Sequence, residues 1–321
     1  MAVLTDDVLV VNAGSTSLKL TVVDRNDVSR PIAGLGDSGE VAGVGHRIVH
    51  GGLRFVEPTL LDDDVVAALD GLRELAPLHN PPAVDAIRRA QQALPDVPHV
   101  AVFDTAFHRT IPPVASTYLL PERFRALGIQ RFGFHGLSVA WVAEQVPVTR
   151  LVVCHLGGGC SVTAVHDGRS VDTTMGFTPL EGVPMATRPG PVDPGALLYL
   201  LRHGVTPAEL EQALEHESGL LALGGTSDVA TLIASSEEGA RLALEIFAYR
   251  VAQAVAAMAT SLDGLDALAF TGGVGENAEP VRGAVCGHVR FLGVGERVPV
   301  YVIPAREDAV AARAVRTAIA R

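Results

Sequence analysis

The sequence predicts an α/β fold built from two similar domains. Residues 8–25, VLVVNAGSTSLKLTVVDR, read as apolar strand, small-residue turn, second apolar strand and charged turn. Residues 151–168, LVVCHLGGGCSVTAVHDG, repeat that order about one domain length later. A chain of 321 residues with 48% hydrophobic residues can bury two ordinary cores. Together these observations predict a duplicated fold with one glycine-tipped hairpin in each half.

The first hairpin has the composition of a phosphate-binding turn. Its tip runs from Asn12 through glycine and hydroxyl residues, so several backbone N–H groups can converge on an anion. Lys19 lies just beyond the tip and is the only lysine in the chain. A lysine there adds a point charge next to the predicted cradle. Taken alone, Lys19 could equally be an ordinary surface residue on a strand.

The rest of the first half alternates strands and helices. The stretch from Arg25 to Gly45 lacks periodicity and predicts turns with one short strand at most. The other predicted elements, in order, are a strand from Val44 ending in paired glycines at 51–52, a helix over 61–75 with Asp62–Asp64 at its N-terminal end, a helix over 82–93, and a buried strand over 100–103 that ends at Asp104.

The second half contains the longest predicted helix, residues 240–262, which is apolar nearly all round and is therefore expected at the centre or at a subunit contact. Arg188 lies in a proline-rich loop. The other predicted elements are an irregular connection over 108–121, helices over 139–144, 195–201 and 207–215, a strand over 268–270 followed by the glycine turn 271–277, a strand over 300–303 and a helix over 307–320.

Composition excludes several classes of function. A net charge of −11 argues against a nucleic-acid partner, which requires clustered positive charge. No apolar run approaches the ~20 residues of a membrane span, and Asp6 and Asp7 stand where a signal peptide would be basic. Three cysteines without metal-type spacing indicate reduced thiols and a cytoplasmic location. The P-loop motif and the Rossmann glycine motif are both absent from the sequence.

Nine strings occur in one order along the chain: VNAGSTSLKL, GHRIVHGG, LAPLHNPPA, VFDTAFH, RFGFHGLS, HLGGG, TTMGFTPLEG, ATRPG and FTGGVGEN. With the paired hairpins they resemble the actin, heat-shock ATPase and sugar-kinase superfamily, and within it the acetate and propionate kinase family. The resemblance implies two ribonuclease-H-like domains of the actin-like ATPase fold, with a cleft between them. It implies a first domain of residues 1–106 plus 308–321 and a second of residues 107–307. It also implies a homodimer that pairs through the second domain.

The resemblance further implies a carboxylate kinase that transfers the terminal phosphoryl group of ATP reversibly to acetate, or propionate, to give acyl phosphate and ADP. Such transfer depends on positioning and charge stabilisation, for which the planar, permanently charged guanidinium is suited. Arg47 and Arg188 match the family's carboxylate and transition-state clamps, and His135 matches the histidine that hydrogen-bonds the transferring group. Asp104 matches the family's acidic residue, which positions an arginine, a metal-bound water or a proton.

Family positions also imply the binding residues. Asn12 and Glu307 match oxygen ligands of Mg²⁺, although Asp308 could serve instead of Glu307. The acyl pocket corresponds to Val49, Leu78, Phe134 and Pro179; a valine at position 49 leaves room for acetate and propionate. The nucleotide-binding positions are Ser15, Ser17, Lys19, His155, Leu156, Gly157, Gly158, Gly159, Asp228, Val229, Ala230, Gly273, Val274, Gly275, Glu276 and Asn277.

Three departures from the family pattern leave alternatives open. Gly158 stands where the family usually has asparagine, Ala230 where it has an arginine that lies against adenine, and the segment 25–45 is shorter. A missing stacking arginine costs ~1 kcal/mol of base binding. These departures allow a different phosphoryl donor such as pyrophosphate. They also allow a non-catalytic protein that binds nucleotide or acyl phosphate.

Overall fold

A computed structural model describes residues 5–13, 18–73 and 80–321. Backbone contacts divide the chain into two compact units. Unit 1 comprises Met1–Arg109, Phe134–Trp141 and Arg306–Arg321, and unit 2 comprises Thr110–Gly133 and Val142–Ala305. The units differ from the predicted domains chiefly in the segment Phe134–Trp141, which packs with unit 1. The domain boundaries themselves stay a prediction.

Unit 1 is built on a six-stranded mixed sheet. Strand β1 (Val8–Ala13) pairs antiparallel with β2 (Leu18–Val23), which pairs antiparallel with β3 (Ser29–Ile32). On its other side β1 runs parallel to β4 (Gly43–Ile48), which runs parallel to β6 (His99–Phe103). A short strand β5 (Thr59–Leu60) closes the edge. The central strands are apolar along most of their length because both faces of the sheet are covered.

Helices cover the two faces of this sheet. Helix α1 (Asp63–Asp70) is capped by Asp62, and α2 (Asn80–Ala93) follows it; both pack on one apolar face. Helix α13 (Glu307–Ile319) packs its alanines and Val315 against the opposite face. The Asp62–Asp64 cluster therefore lies at the start of a helix, as the sequence predicted.

Unit 2 repeats the strand pattern in a five-stranded sheet. Strand β7 (Arg150–Leu156) forms an antiparallel hairpin with β8 (Cys160–His166), which pairs antiparallel with β9 (Arg169–Thr173). Strand β10 (Ala267–Thr271) runs parallel to β7, and β11 (Val300–Val302) runs parallel to β10. Both units thus contain a hairpin, a third antiparallel strand and then parallel strands, which confirms the predicted duplication.

The helices of unit 2 are mostly short. In order they are α3 (Pro113–Ser116), α4 (Glu122–Arg125), α6 (Pro194–Arg202), α7 (Pro207–Gln212), α8 (Gly219–Gly224), α9 (Val229–Ala234), α10 (Glu238–Ser261), α11 (Gly272–Asn277) and α12 (Glu279–His288). Helix α5 (Gly136–Gln145) begins in unit 1, three residues before the predicted start, and continues into unit 2. A π-helical turn, Ala213–Glu217, joins α7 to α8.

Helix α10 alone among the described helices has the length and hydropathy of a membrane span. Core helices of globular proteins share both properties. Helix α10 packs against α8, α12 and β8, and it carries Arg241, Glu245 and Arg250 on exposed positions. It therefore packs against several elements of unit 2, and the central position is one of the two that the sequence predicted.

Candidate active site

Four predicted site residues meet around the guanidinium of Arg47 in unit 1. Asn12 on β1 lies beside Arg47 on β4 in the sheet register, and Asp104 directly follows β6. Because these parallel strands end at the same edge, their last side chains come together. Arg47 Nε and Nη2 donate to the two oxygens of Asp104 at 3.1 and 2.6 Å. Its Nη1 lies 3.3 Å from Asn12 Oδ1 and 3.0 Å from Glu307 Oε2.

The environment keeps Arg47 charged. The side chain of Asp104 is 1% exposed and that of Arg47 is 17% exposed, so water screens their attraction weakly. Burial opposes the charged guanidinium, but the carboxylates of Asp104 and Glu307 outweigh it and raise the pKa of Arg47 above its ordinary value. Arg47 therefore stays charged, and its guanidinium is held between the two carboxylates.

Glu307, rather than Asp308, faces this cluster. Asp308 accepts hydrogen bonds from Ser29 Oγ and from Arg306 Nε. Arg306 also stacks over the ring of Trp141 and donates to the backbone of Asp27. These contacts occupy the Asp308 carboxylate on the side of α13 that faces β3. Glu307 is thus the residue of this pair that joins Arg47.

His135 lies at a tight corner next to Asp104. Its φ of 59° is in the left-handed region, which a non-glycine residue adopts only when its surroundings hold it there. The next residue, Gly136, donates its N–H to the carbonyl of Asp104 at 3.0 Å. His108 Nε2 donates to the carbonyl of Phe134 at 2.9 Å and so holds the corner from the other side. Sequence reasoning missed His108, which supports the corner through a backbone carbonyl.

We expect Gly136→Ala to destabilise this corner. A Cβ atom at position 136 would lie 2.0 Å from the carbonyl oxygen of Asp104, so the backbone of one of them must move. Overpacking of this kind costs ~1–3 kcal/mol of the free energy of unfolding. Urea unfolding followed by circular dichroism measures it. Gly36→Ala in the same unit is the control, because no atom lies within 4 Å of the added methyl group. Equal stability of the two variants would contradict the prediction.

The predicted acyl-pocket residues fall in different parts of the chain. Phe134 is buried, its ring packs edge-on against His50, and Val49 is half-buried on the adjacent backbone. The side-chain amide of Asn80 bridges the backbone N–H and carbonyl of His50, which fixes this turn. Pro179 is buried in unit 2. Leu78 lies outside the described residues.

The two glycine turns of unit 2 lie side by side. His155 pairs with Thr271 in the parallel register of β7 and β10, so the turns that follow these strands meet. Gly272 has a φ of 78°, and a Cβ atom on it would lie 2.7 Å from the carbonyl oxygen of Leu156. Glu276 Oε1 accepts from Gly272 N–H at 3.1 Å and from Ala305 N–H at 2.9 Å. The predicted segments His155–Gly159 and Gly273–Asn277 therefore form one backbone-rich surface, of the kind that binds phosphates.

The remaining nucleotide-binding predictions are less clustered. Lys19 is exposed on β2, whereas Ser15 and Ser17 lie outside the described residues. Asp228 caps α9 by accepting from Thr231 N–H at 3.0 Å, with Val229 buried and Ala230 exposed behind it. Asp228 thus has a structural role as the N-cap of α9.

Arg188 lies in a loop that touches the first glycine turn. Ala186 N–H donates to the carbonyl of Gly158 at 3.4 Å. The Nε of Arg188 donates to Glu215 Oε2 at 2.8 Å, and both side chains are 14% exposed. Sequence reasoning did not identify Glu215. Twenty-seven residues separate the pair, and no motif links them.

A second polar network supports the loop that carries Pro179. Arg131 Nη1 donates to the backbone carbonyls of Thr173, Thr174 and Met175, and its Nη2 pairs with Glu181 at 2.8 Å. The hydroxyl of Tyr118 donates to Glu181, and burial together with this carboxylate raises the pKa of Tyr118. The network fixes the TTMGFTPLEG segment at both ends.

Comparison with known proteins places these residues in a family. A sequence profile described as the Acetokinase family matches residues 32–308. Acetate kinase from Synechococcus sp. is 47% identical over 272 residues, which cover 81% of this chain and 68% of that one. Acetate kinase from Deinococcus radiodurans is 48% identical over 282 residues, covering 84% of this chain and 71% of that one.

Solved structures of acetate and propionate kinases have the same fold as this chain. A propionate kinase from Francisella tularensis superposes with a TM-score of 0.88 at 32% identity, covering 96% of this chain and 98% of that one. Acetate kinase from Entamoeba histolytica superposes with a TM-score of 0.87 at 27% identity, covering 97% and 99%. A ROK family protein from Streptococcus pneumoniae, solved in complex with sucrose, shares the fold alone, with a TM-score of 0.51 at 10% identity. The predicted actin-like ATPase fold is confirmed, and the chain belongs to the acetokinase family.

Proposed function

We propose that this protein is an acetate kinase-like phosphotransferase, which transfers the terminal phosphoryl group of ATP reversibly to acetate, or propionate, to give acyl phosphate and ADP. The observation that carries the proposal is the Arg47 cluster. A guanidinium held by Asp104, Asn12 and Glu307 stands at the strand ends of a chain that belongs to the acetokinase family. A guanidinium binds a small carboxylate by donating N–H groups to its oxygens.

In the proposed reaction a carboxylate oxygen attacks the terminal phosphorus while the bond to the ADP oxygen breaks. A small carboxylic acid is already ionised at neutral pH, so the acceptor needs no general base. Arg47 holds the acyl carboxylate, and Arg188 and His135 stabilise charge on the transferring phosphoryl group. Both oxygens of Asp104 accept from Arg47. Of the three roles open to Asp104, this geometry favours the positioning of Arg47.

Magnesium suits the residues of unit 1. Asn12 Oδ1 and Glu307 Oε2 are hard oxygen donors, and both contact the same nitrogen of Arg47. Mg²⁺ needs only one or two protein oxygens when phosphate oxygens and water complete its shell. We propose that Asn12 and Glu307 hold it. When bound, Mg²⁺ would neutralise charge on the nucleotide phosphates.

ATP is the donor that the family favours. Two of the differences from the family pattern that suggested another phosphoryl donor, Gly158 and Ala230, lie at open positions. A Cβ atom added at Gly158 would meet no other atom within 4 Å, and Ala230 is exposed. The missing side chains therefore leave space at the surface, and the backbone of both glycine turns is retained. We propose that ATP binds through this backbone, with fewer side-chain contacts to phosphate and adenine.

A hydroxamate assay on the purified protein tests the proposal. Acetate, propionate and butyrate are offered as acceptors, each with ATP or pyrophosphate as donor and with Mg²⁺ present. We expect saturable acyl-phosphate formation with ATP and acetate, a several-fold lower rate with propionate, and little with butyrate, because one methylene changes transition-state binding by ~1–3 kcal/mol. No acyl phosphate with ATP and any acceptor would overturn the proposal.

We also propose a cytoplasmic homodimer that pairs through unit 2. Helix α6 exposes a run of large apolar side chains, and α10 exposes others, which a water-facing surface would not favour. They are Leu198, Tyr199, Leu200, Leu201, Leu242, Ile246 and Tyr249. Sedimentation velocity should give twice the mass of 33.5 kDa. Leu198→Glu combined with Leu201→Glu should shift the protein toward monomer if α6 forms the contact. A wild-type monomer at micromolar concentration would contradict the prediction.

A further inference from the structure

The most informative unassigned group in unit 2 is the carboxylate of Glu215. It pairs with Arg188 although neither residue is near the other in sequence, and the pair is largely shielded from water at 14% exposure for each side chain. In the other described ion pairs of this unit at least one partner is more exposed, for example Arg241 with Glu245 at 61% and 57%. A shielded pair costs desolvation, so its geometry has to be well defined to be favourable.

The backbone around Glu215 is built to meet the Arg188 loop. Glu215 lies in the π-helical turn Ala213–Glu217, a rare geometry that is frequent at functional sites. Thr187 Oγ1 donates to the carbonyl of Glu215 at 2.7 Å, and Ser218 N–H donates to the carbonyl of Thr187 at 3.0 Å. Thr187, the residue that precedes Arg188, is therefore hydrogen-bonded both to the π-helical turn and to Ser218 at the start of α8.

Close packing continues on the far side of the loop. Gly219 has a φ of 65°, and a Cβ atom there would lie 2.2 Å from the carbonyl oxygen of Met185 and 2.7 Å from that of Arg188. Leu220 N–H donates to Met185 O at 2.9 Å, and Leu221 N–H donates to Ala186 O at 3.0 Å. The loop that carries Arg188 is thus hydrogen-bonded to the start of α8 at Met185 and Ala186, and to the turn that carries Glu215 at Thr187 and Arg188.

Glu215 contacts the Arg188 guanidinium only at Nε. Glu215 accepts from Nε, while Nη1 has a long contact of 3.9 Å with Met185 Sδ. Within the described part of the chain, Nη2 of Arg188 donates no hydrogen bond. A carboxylate on Nε fixes the plane of the guanidinium and leaves the edge between Nη1 and Nη2 free to donate two parallel bonds to an oxyanion.

We propose that Glu215 is a positioning residue for Arg188: it fixes the guanidinium through Nε so that Nη1 and Nη2 can bind the transferring phosphoryl group. This inference rests on the proposed role of Arg188. Glu215 touches no substrate itself. It acts by removing rotational freedom that the arginine would otherwise lose in each turnover.

Kinetics of Glu215→Ala and Glu215→Gln test the inference. Glu215→Ala is expected to lower kcat roughly 10- to 100-fold, the scale of a misplaced catalytic group, with KM for acetate nearly unchanged. Glu215→Gln keeps an oxygen acceptor for Nε and should recover part of the loss. Glu245→Ala is the matched control, because it removes the partner of an exposed arginine in the same unit. Its kcat should equal that of the wild type.

A double-mutant cycle with Arg188→Ala separates positioning from a general structural role. If Glu215 acts through Arg188, Glu215→Ala should cause no further loss of kcat in the Arg188→Ala background. An additional loss of the same size as in the wild type, or a wild-type kcat for Glu215→Ala, would overturn the inference while leaving the proposed function intact. A wild-type protein that forms no acyl phosphate would overturn both.

Discussion

Arg47→Ala is expected to lower kcat/KM for acyl-phosphate formation by about 10³. It is also expected to lower the free energy of unfolding by ~3 kcal/mol or more, because removing one partner of a buried ion pair leaves the desolvation cost of the other charge without that attraction. Asp104, at 1% exposure, would lose both of its bonds to the guanidinium. Glu307 would lose the same partner. Steady-state kinetics and urea unfolding at pH 7.5 measure the two effects.

Two further variants make the Arg47 experiment specific. Arg47→Lys keeps the charge but cannot donate two parallel bonds to Asp104, so it should recover part of the stability and little of the activity. Arg73→Ala breaks the exposed pair with Asp70, whose N–O distance of 2.5 Å is as short. Water screens an exposed pair and its side chains are mobile, so this control should be nearly neutral. The prediction fails if Arg47→Ala is no less stable than Arg73→Ala, or if it keeps activity within tenfold of the wild type.

The parts of the site that follow strand ends could be predicted from the sequence. Asn12 and Asp104 each end an apolar run, and parallel strands bring such positions to one edge of a sheet, where the register places them beside Arg47 on β4. The glycine turns of unit 2 follow the same logic, because His155 and Thr271 end neighbouring strands. Periodicity and turn composition locate the strand ends and the turns, and the family resemblance supplies the roles of the residues on them.

Residues that support the site could not be predicted in the same way. Glu215 meets Arg188 from a π-helical turn 27 residues away in the chain, and no local pattern in the sequence indicates that contact. His108 and Asn80 hold backbone carbonyls, and a contact to backbone leaves no complementary side chain to find in the sequence. The predicted helix over 139–144 began three residues too late, because α5 begins at Gly136. Tertiary docking onto Asp104 outweighs the low helix propensity of this glycine.

Acid is expected to unfold the protein through buried neutral histidines of unit 1. Burial, and then the neighbouring His99, lowers the pKa of His46 to about 3. Burial lowers the pKa of His108 to about 4 against weaker opposing effects of Phe134 and Asp104. In the unfolded chain both rings titrate near pH 6.5. Between these values the unfolded state binds more protons, so stability is fully present above pH 6.5 and falls as the pH decreases. At pH 4.5 each ring should cost ~2–3 kcal/mol.

The hydrogen bonds explain why His46 resists protonation. His99 Nε2 lies 3.0 Å from the carbonyl of Leu94, which can only accept, so this nitrogen carries the proton. His99 Nδ1 is then the acceptor for His46 Nε2 at 2.9 Å. His46 Nδ1 is left as a buried acceptor without a hydrogen-bond partner among the described residues. A proton added there would be a buried, unpaired donor on a charged ring, 1% exposed and stacked on His99.

His46→Gln isolates this effect, because glutamine can donate to His99 but does not titrate. The loss of unfolding free energy between pH 7.5 and pH 4.5 should be ~2–3 kcal/mol smaller in His46→Gln than in the wild type. His46 precedes Arg47 on β4, and alternation along the strand directs the two side chains to opposite faces. The acid midpoint of unfolding should therefore lie at lower pH in His46→Gln than in the wild type, and an unchanged midpoint would contradict this origin.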